Sequence, residues 1–185
     1  FLKHFIRNSG EDYEADFSRM LKQSSYAHAE MKKDINLAMD AAEHFAVDGS
    51  AVNIVSKEEA YKNRGNTMSM NWYFSVGNYS TWTRASVTKE GELYSMSVEY
   101  NLRDLYNWKT GSDAFGGFVV DGEMAELHAY GRAKEFEVYG THNITMTWAE
   151  GERYDVLDSK SVSHDRSRRN DRMRRQRPRI KDTRR

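Results

Sequence analysis

The sequence predicts an α+β domain in which two N-terminal helices and one short later helix pack on an antiparallel sheet. Three observations carry this prediction. Apolar residues recur at helical spacing through residues 11–46, the period changes from 3.6 to 2 after Gly65, and one further helical signature interrupts the strands near residues 121–130.

Tyr13, Phe17, Met20 and Leu21 fall at i, i+4, i+7 and i+8, which predicts a first helix with a single apolar stripe. Met31, Ile35, Ala38, Met39, Ala42 and Phe45 repeat the spacing and predict a second helix, with Gly49 as its C-terminal stop. Lys57 to Arg64 is short and charged and fits neither period. Met70, Trp72, Phe74 and Val76 then alternate with Asn71, Tyr73 and Ser75; Thr81 to Thr88 is rich in β-formers; and Tyr94, Met96, Val98, Tyr100 and Leu102 alternate with polar residues. With Gly77-Asn78 and Glu90-Gly91 as turns, these runs predict a meander. Asp121 to Tyr130 reads as a short helix, capped by Asp121, acidic in its first turn and ended by Gly131. Glu135 to Tyr139, and then Ile144, Met146 and Trp148, predict two last strands.

No stretch of the chain is apolar enough to be a transmembrane helix, and no secretory signal pattern is present. Beginning at Phe1, the sequence reads as a piece of a longer protein. With Cys 0, disulfides, thiolate nucleophiles and cysteine-based metal centres are excluded. The net charge of +0 conceals a division: residues 156–185 hold 12 Lys+Arg against 4 Asp+Glu, so a tail of +8 follows a body of −8. Only Val156, Leu157, Val162, Met173 and Ile180 are apolar in that tail, too few to offset the entropy of ordering it. The organisation expected is therefore a body, residues 1–155, and a basic tail, residues 156–185, without structure of its own. Such a tail has the charge to grip phosphates of nucleic acid or an anionic membrane surface, and equally reads as a plain solvated segment.

Phosphate-loop, dinucleotide-binding, nucleophile-elbow, zinc-protease and EF-hand patterns are all missing. One polar region stands out, Arg103-Asp104-Leu105-Tyr106-Asn107-Trp108-Lys109 at the end of the third strand, followed by the helix bearing His128 with Glu126, Arg132 and Glu135 nearby. A carboxylate and an imidazole brought together across a strand end and a helix are the minimum for metal-assisted or general acid–base hydrolysis, since one can hold a cation while the other moves a proton. The same residues also fit a purely structural role, with Asp104 capping a turn, Tyr106 and Trp108 in the core and His128 a half-buried helix residue.

The segments Asn71 to Trp82, Asp104 to Trp108 and Met124 to Phe136 resemble the C-terminal toxin modules of bacterial polymorphic toxins such as Rhs and LXG proteins. Within them, Asp104-Leu105-Tyr106-Asn107 followed by His128 resembles, more distantly, the Asp-x-Tyr-Asp and His-Arg motif of colicin M and related toxins that cleave lipid II, the undecaprenyl-linked peptidoglycan precursor. That resemblance implies Asp104 as the essential carboxylate, Tyr106 as a positioning group and His128 as general acid or base at the diphosphate. Asn107 stands where colicin M has a second carboxylate and Ala129 where it has arginine, so Arg103 or Arg132 would supply the cation. Asn107 and Trp108 complete the expected substrate contacts. A divalent cation, Mg or Ca, would neutralise a diphosphate, with Asp104 and Asp113 or Glu135 as oxygen ligands.

The leading expectation is thus a secreted antibacterial effector, part of a larger bacterial toxin. It would hydrolyse a lipid-linked envelope precursor in the periplasm of the target cell, and a cognate immunity protein would protect the producer. Two other toxin classes stay open, beside a non-toxin interaction domain whose aromatics Trp72, Tyr79, Trp82 and Trp108 would form a binding face. One is a membrane-active toxin whose helices between Glu11 and Phe45 insert and depolarise. The other is a nuclease or nucleic-acid binder using the arginine-rich tail, against which the −8 body weighs.

Overall fold

The computed structural model describes residues 1–62, 72, 75–108 and 121–155. Six strands form one mixed, mostly antiparallel sheet: β1 (Tyr13–Glu14), β2 (Ala51–Val55), β3 (Glu59–Lys62), β4 (Asn78–Glu90), β5 (Leu93–Tyr106) and β6 (Phe136–Ala149). Their order is β1-β6-β5-β4-β2, with β3 also on β4. Only β1 runs parallel to its neighbour, pairing Tyr13 with Val138 and Glu14 with Tyr139. The helices are α1 (Leu2–Ile6), α2 (Phe17–Gln23), α3 (Ser25–Phe45) and α4 (Asp121–Ala129).

Alternation drives the long strands. Along β5, Tyr94, Met96, Val98, Tyr100 and Leu102 are all at most 1% exposed while Ser95, Ser97 and Glu99 face solvent. The core-facing row of β4 is Tyr79, Thr81, Thr83, Ala85 and Val87. Against this face α3 lays its stripe of Ala27, Met31, Ile35, Ala38, Met39 and Ala42. Asp34 lies in that stripe, where it accepts a hydrogen bond from the Tyr100 hydroxyl at 3.1 Å, and burial raises its pKa. Side-chain caps start both helices: the Asp16 carboxylate accepts the Arg19 N–H at 2.9 Å, and the Ser24 hydroxyl oxygen accepts that of Ala27 at 3.1 Å.

Several expectations need correction. Tyr13 belongs to an edge strand, and the first predicted helix begins only at Phe17. The second ends at Phe45, and Gly49, at φ +73, instead turns the chain into β2 by donating its N–H to the Lys89 carbonyl. Of the strand expected from Met70 to Val76, Trp72 and Ser75 are helical and the Val76 N–H bonds the Trp72 carbonyl at 2.8 Å; Met70, Asn71, Tyr73 and Phe74 lie outside the described residues. The Trp72 indole N–H donates to Gln23 Oε1 at 2.7 Å, a tertiary bond to α2 that a period-two reading does not register. The two last strands are one continuous β6. Its Gly140 is a point of close approach: a Cβ there would stand 2.8 Å from Phe17 Cβ and 3.0 Å from the Ala15 carbonyl oxygen, so the missing side chain lets α2 lie on the strand. The helix at Asp121 forms as expected. Asp113 and residues 156–185 lie outside the described residues.

Beyond β6 the chain turns at Gly151, φ +84, and residues 151–155 run back along α3. Glu43 anchors this strap. Its Oε1 accepts the Trp148 indole N–H at 3.0 Å, the Gly151 N–H at 3.1 Å and Arg153 Nη1 at 3.4 Å. Further along α3, Arg153 reaches Asp40 at 2.9 Å, the Tyr154 N–H reaches Asn36 at 2.9 Å and Lys32 reaches Asp155 at 3.1 Å.

Candidate active site

The period-two geometry of β5 decides which residues share a face. Leu102, Asp104 and Tyr106 point to the helix side, while Arg103 and Leu105 point to the other. Arg103, expected beside Asp104, is therefore on the opposite face, exposed and ion-paired with Glu137. Asp104 is half-buried one step beyond the fully buried Leu102. Its Oδ1 accepts the Leu105 N–H at 2.8 Å, and the Gly77 N–H, from the segment leading into β4, is a second backbone donor. Burial outweighs these two donors and lifts the carboxyl from the ordinary 3.8 to about 6.

Tyr106 ends the strand in an aromatic cluster. Its ring stacks on Phe136, its register partner on β6, at 4.9 Å, and meets Phe5 at 5.8 Å, Phe1 at 6.0 Å and Trp108 at 6.0 Å. Burial pushes the phenol up to about 12, so at neutral pH it keeps its proton and acts as a donor. Asn107 and Trp108 follow, both half-buried.

His128 is exposed in the last turn of α4. Gly131, in the left-handed region at φ +67, ends that helix, and the N–H groups of Arg132 and Ala133 both reach the Leu127 carbonyl. Asn8 Nδ2 donates to the Gly131 carbonyl at 2.7 Å and the Lys134 N–H to that of Phe5 at 3.2 Å. These bonds hold the end of α4 against α1, whose Phe5 touches Tyr106. His128 is thus at the same end of the sheet as Asp104, but among the described residues no hydrogen bond or ion pair joins it, or the exposed Arg132, to Asp104 or Tyr106. Glu135 is half-buried just before β6.

Of the expected oxygen ligands, Asp104 and Glu135 are both half-buried. Asp113 lies outside the described residues, and among those described no three His, Asp or Glu side chains come together.

Two contributors escaped the sequence reading. One is the Gly77 N–H, which was read only as a turn. The other is α1, whose Phe1 and Phe5 stand at i, i+4 and pack on Tyr106, with His4 edge-on to Phe136 at 4.5 Å. That i, i+4 spacing is a helical signal in the sequence itself.

No family model and no curated protein matches the sequence. Among solved structures, the fold resembles that of colicin M-like bacteriocins. PaeM, a colicin M-like bacteriocin produced by Pseudomonas aeruginosa, is 10% identical, with a TM-score of 0.45 over 82% of this chain and 50% of that one. Truncated bacteriocin syringacin M from Pseudomonas syringae pv. tomato DC3000 is 14% identical, with a TM-score of 0.41 over 82% of this chain and 59% of that one. The chain thus spans between half and three fifths of these two proteins, and the likeness concerns the path of the chain.

Proposed function

We propose that the chain is the catalytic part of an antibacterial effector and hydrolyses the diphosphate linkage of a lipid II-type envelope precursor in the target cell's periplasm. The observation that carries this reading is Asp104: a carboxyl raised to about 6, on the core face two residues from a protonated Tyr106, at the end of a long strand. Its place in Asp104-Leu105-Tyr106-Asn107 supports the colicin M-like version of the reading.

In this reading Asp104 takes the proton of the attacking water as that water's oxygen bonds to phosphorus. The P–O bond to the leaving group breaks in the same displacement. A base poised near neutrality is effective because a large fraction is ionised at working pH while it remains basic enough to accept the proton. The Tyr106 hydroxyl donates to a phosphate oxygen, His128 protonates the leaving oxygen, and Arg132 supplies positive charge. The immunity partner would present a basic face to the −8 body. Insertion of α3 into a bilayer is disfavoured: its apolar stripe is spent on the sheet, and no helix among the described residues is long and apolar enough to cross a membrane.

Induced expression in a bacterial host, directed either to the cytosol or to the periplasm, tests this. Killing is expected only from the periplasm and is lost in both Asp104→Ala and His128→Ala. Killing from the cytosol, or killing indifferent to both substitutions, sinks the proposal.

A further inference from the structure

The single turn of α1 and its two caps has one face turned in and one turned out. Phe1 and Phe5 pack on Tyr106, whereas Leu2, Lys3, Ile6 and Arg7 are exposed on the other side. The bonds from Asn8 to the Gly131 carbonyl and from the Lys134 N–H to that of Phe5 carry this outward face onto the end of α4. There Tyr130 and Arg132 are exposed, and the stem of Lys134 lies over Gly10. Leu2, Ile6 and Tyr130 are 44%, 52% and 75% exposed. Residues 1–10 and 127–134 contain Lys3, Arg7, Arg132 and Lys134 but no Asp or Glu, within a body of −8. Glu11, Asp12, Glu126 and Glu135 border them.

Single exposed apolar residues are ordinary, and their charged surroundings decide what they can meet. At the opposite end of the sheet Phe45, Val47 and Leu93 are as exposed, but Asp48, Glu90, Glu92 and Glu150 stand around them against Lys89, a surface that an anionic layer repels. At the α1–α4 end, apolar side chains and cations share one surface. We infer that this surface docks on an anionic lipid bilayer. Leu2, Ile6 and Tyr130 enter the boundary between headgroups and acyl chains, and the four cations sit among the lipid phosphates. Tyr106 lies directly behind α1 at Phe5, so docking brings it and Asp104 close to the headgroup layer. A lipid-linked diphosphate presents its phosphates at that level. This consequence rests on the proposed hydrolysis, whereas the surface itself rests on exposure and charge.

The test uses the full chain with one polarity-sensitive label. Because the sequence has Cys 0, Ile6→Cys and Leu37→Cys each offer a single attachment point, the second on the exposed side of α3. With vesicles of mixed phosphatidylglycerol and phosphatidylcholine at physiological salt, the Ile6→Cys label is expected to shift to the blue and the Leu37→Cys label to stay unchanged. Phosphatidylcholine alone is expected to move neither. Lys3→Gln combined with Arg7→Gln, both at exposed positions, is expected to weaken vesicle affinity at least about tenfold. Vesicle binding without a shift of the Ile6→Cys label, which the basic tail acting alone would give, overturns the proposal. Equal shifts of both labels or no binding overturns it too, as does an Ile6→Cys label already shielded in a dimer without vesicles. Assaying lipid II in detergent keeps the two readings apart. Cleavage without docking removes the surface and leaves the hydrolase, whereas docking without cleavage removes the hydrolase and leaves the surface.

Discussion

Asp104→Asn is expected to reduce killing by at least about 100-fold while making the protein more stable above pH 6. The two effects have one cause. In the unfolded chain an aspartate releases its proton near the ordinary 3.8, whereas in the fold Asp104 holds it to about 6. Between these values the unfolded state gains by ionising and the folded state does not, so stability falls as pH rises through the window and the penalty is complete above it. Asparagine removes the ionisation but keeps a carbonyl to accept the Leu105 N–H. Discounted for partial exposure, the gain is about 1–2 kcal/mol, or roughly 3–6 °C in Tm at pH 8, with little difference near pH 4. Thermal denaturation of both proteins at the two pH values measures it. Retained activity, or a variant less stable at pH 8, contradicts the role given to Asp104, because a carboxylate that merely capped a turn would be missed in the folded state.

Glu43→Ala is expected to be the most damaging of the single surface-proximal changes, lowering stability by about 2–4 kcal/mol. The Glu43 side chain is only 14% exposed, and one of its oxygens receives the Trp148, Gly151 and Arg153 donors. Trp148 is 1% exposed, so truncating Glu43 leaves a buried indole N–H without an acceptor and releases the strap from α3. Glu43→Gln keeps an acceptor and should lose about half as much. Urea denaturation of the three proteins checks this, and a loss below about 1 kcal/mol for alanine would show that residues 151–155 are held by other contacts.

What the sequence made legible follows burial. The strands β4 and β5 and the helix α3 each bury one face against the others, so their patterns are regular and were read correctly in kind. The elements that escaped are short and at the margins: α1 has five residues, β1 two, and the odd residues of β2 are exposed. The two strands are fixed by edge pairing to β6 and β4, which leaves little periodic trace, and α1 is too short for more than one core-facing i, i+4 pair. The two strands expected at Glu135 to Tyr139 and at Ile144 to Trp148 are continuous through Gly140, where the close contact with Phe17 demands a glycine. At the site, the shared face of Asp104 and Tyr106 was implicit in the alternation. The same alternation sends Arg103 to the other face, a consequence that grouping the motif as a linear string overlooked. Contacts such as Gly77 with Asp104 or Ser18 with His142 join distant positions through the register of the sheet, and no local pattern announces them.

The most direct test of the account is to incubate the purified chain with lipid II and separate the products, with Asp104→Asn beside the wild type. Release of the diphosphate or monophosphate headgroup by the wild type, reduced at least about 100-fold in the variant, is the predicted result. Intact lipid II with the folded wild-type protein, or equal cleavage by both, would contradict it.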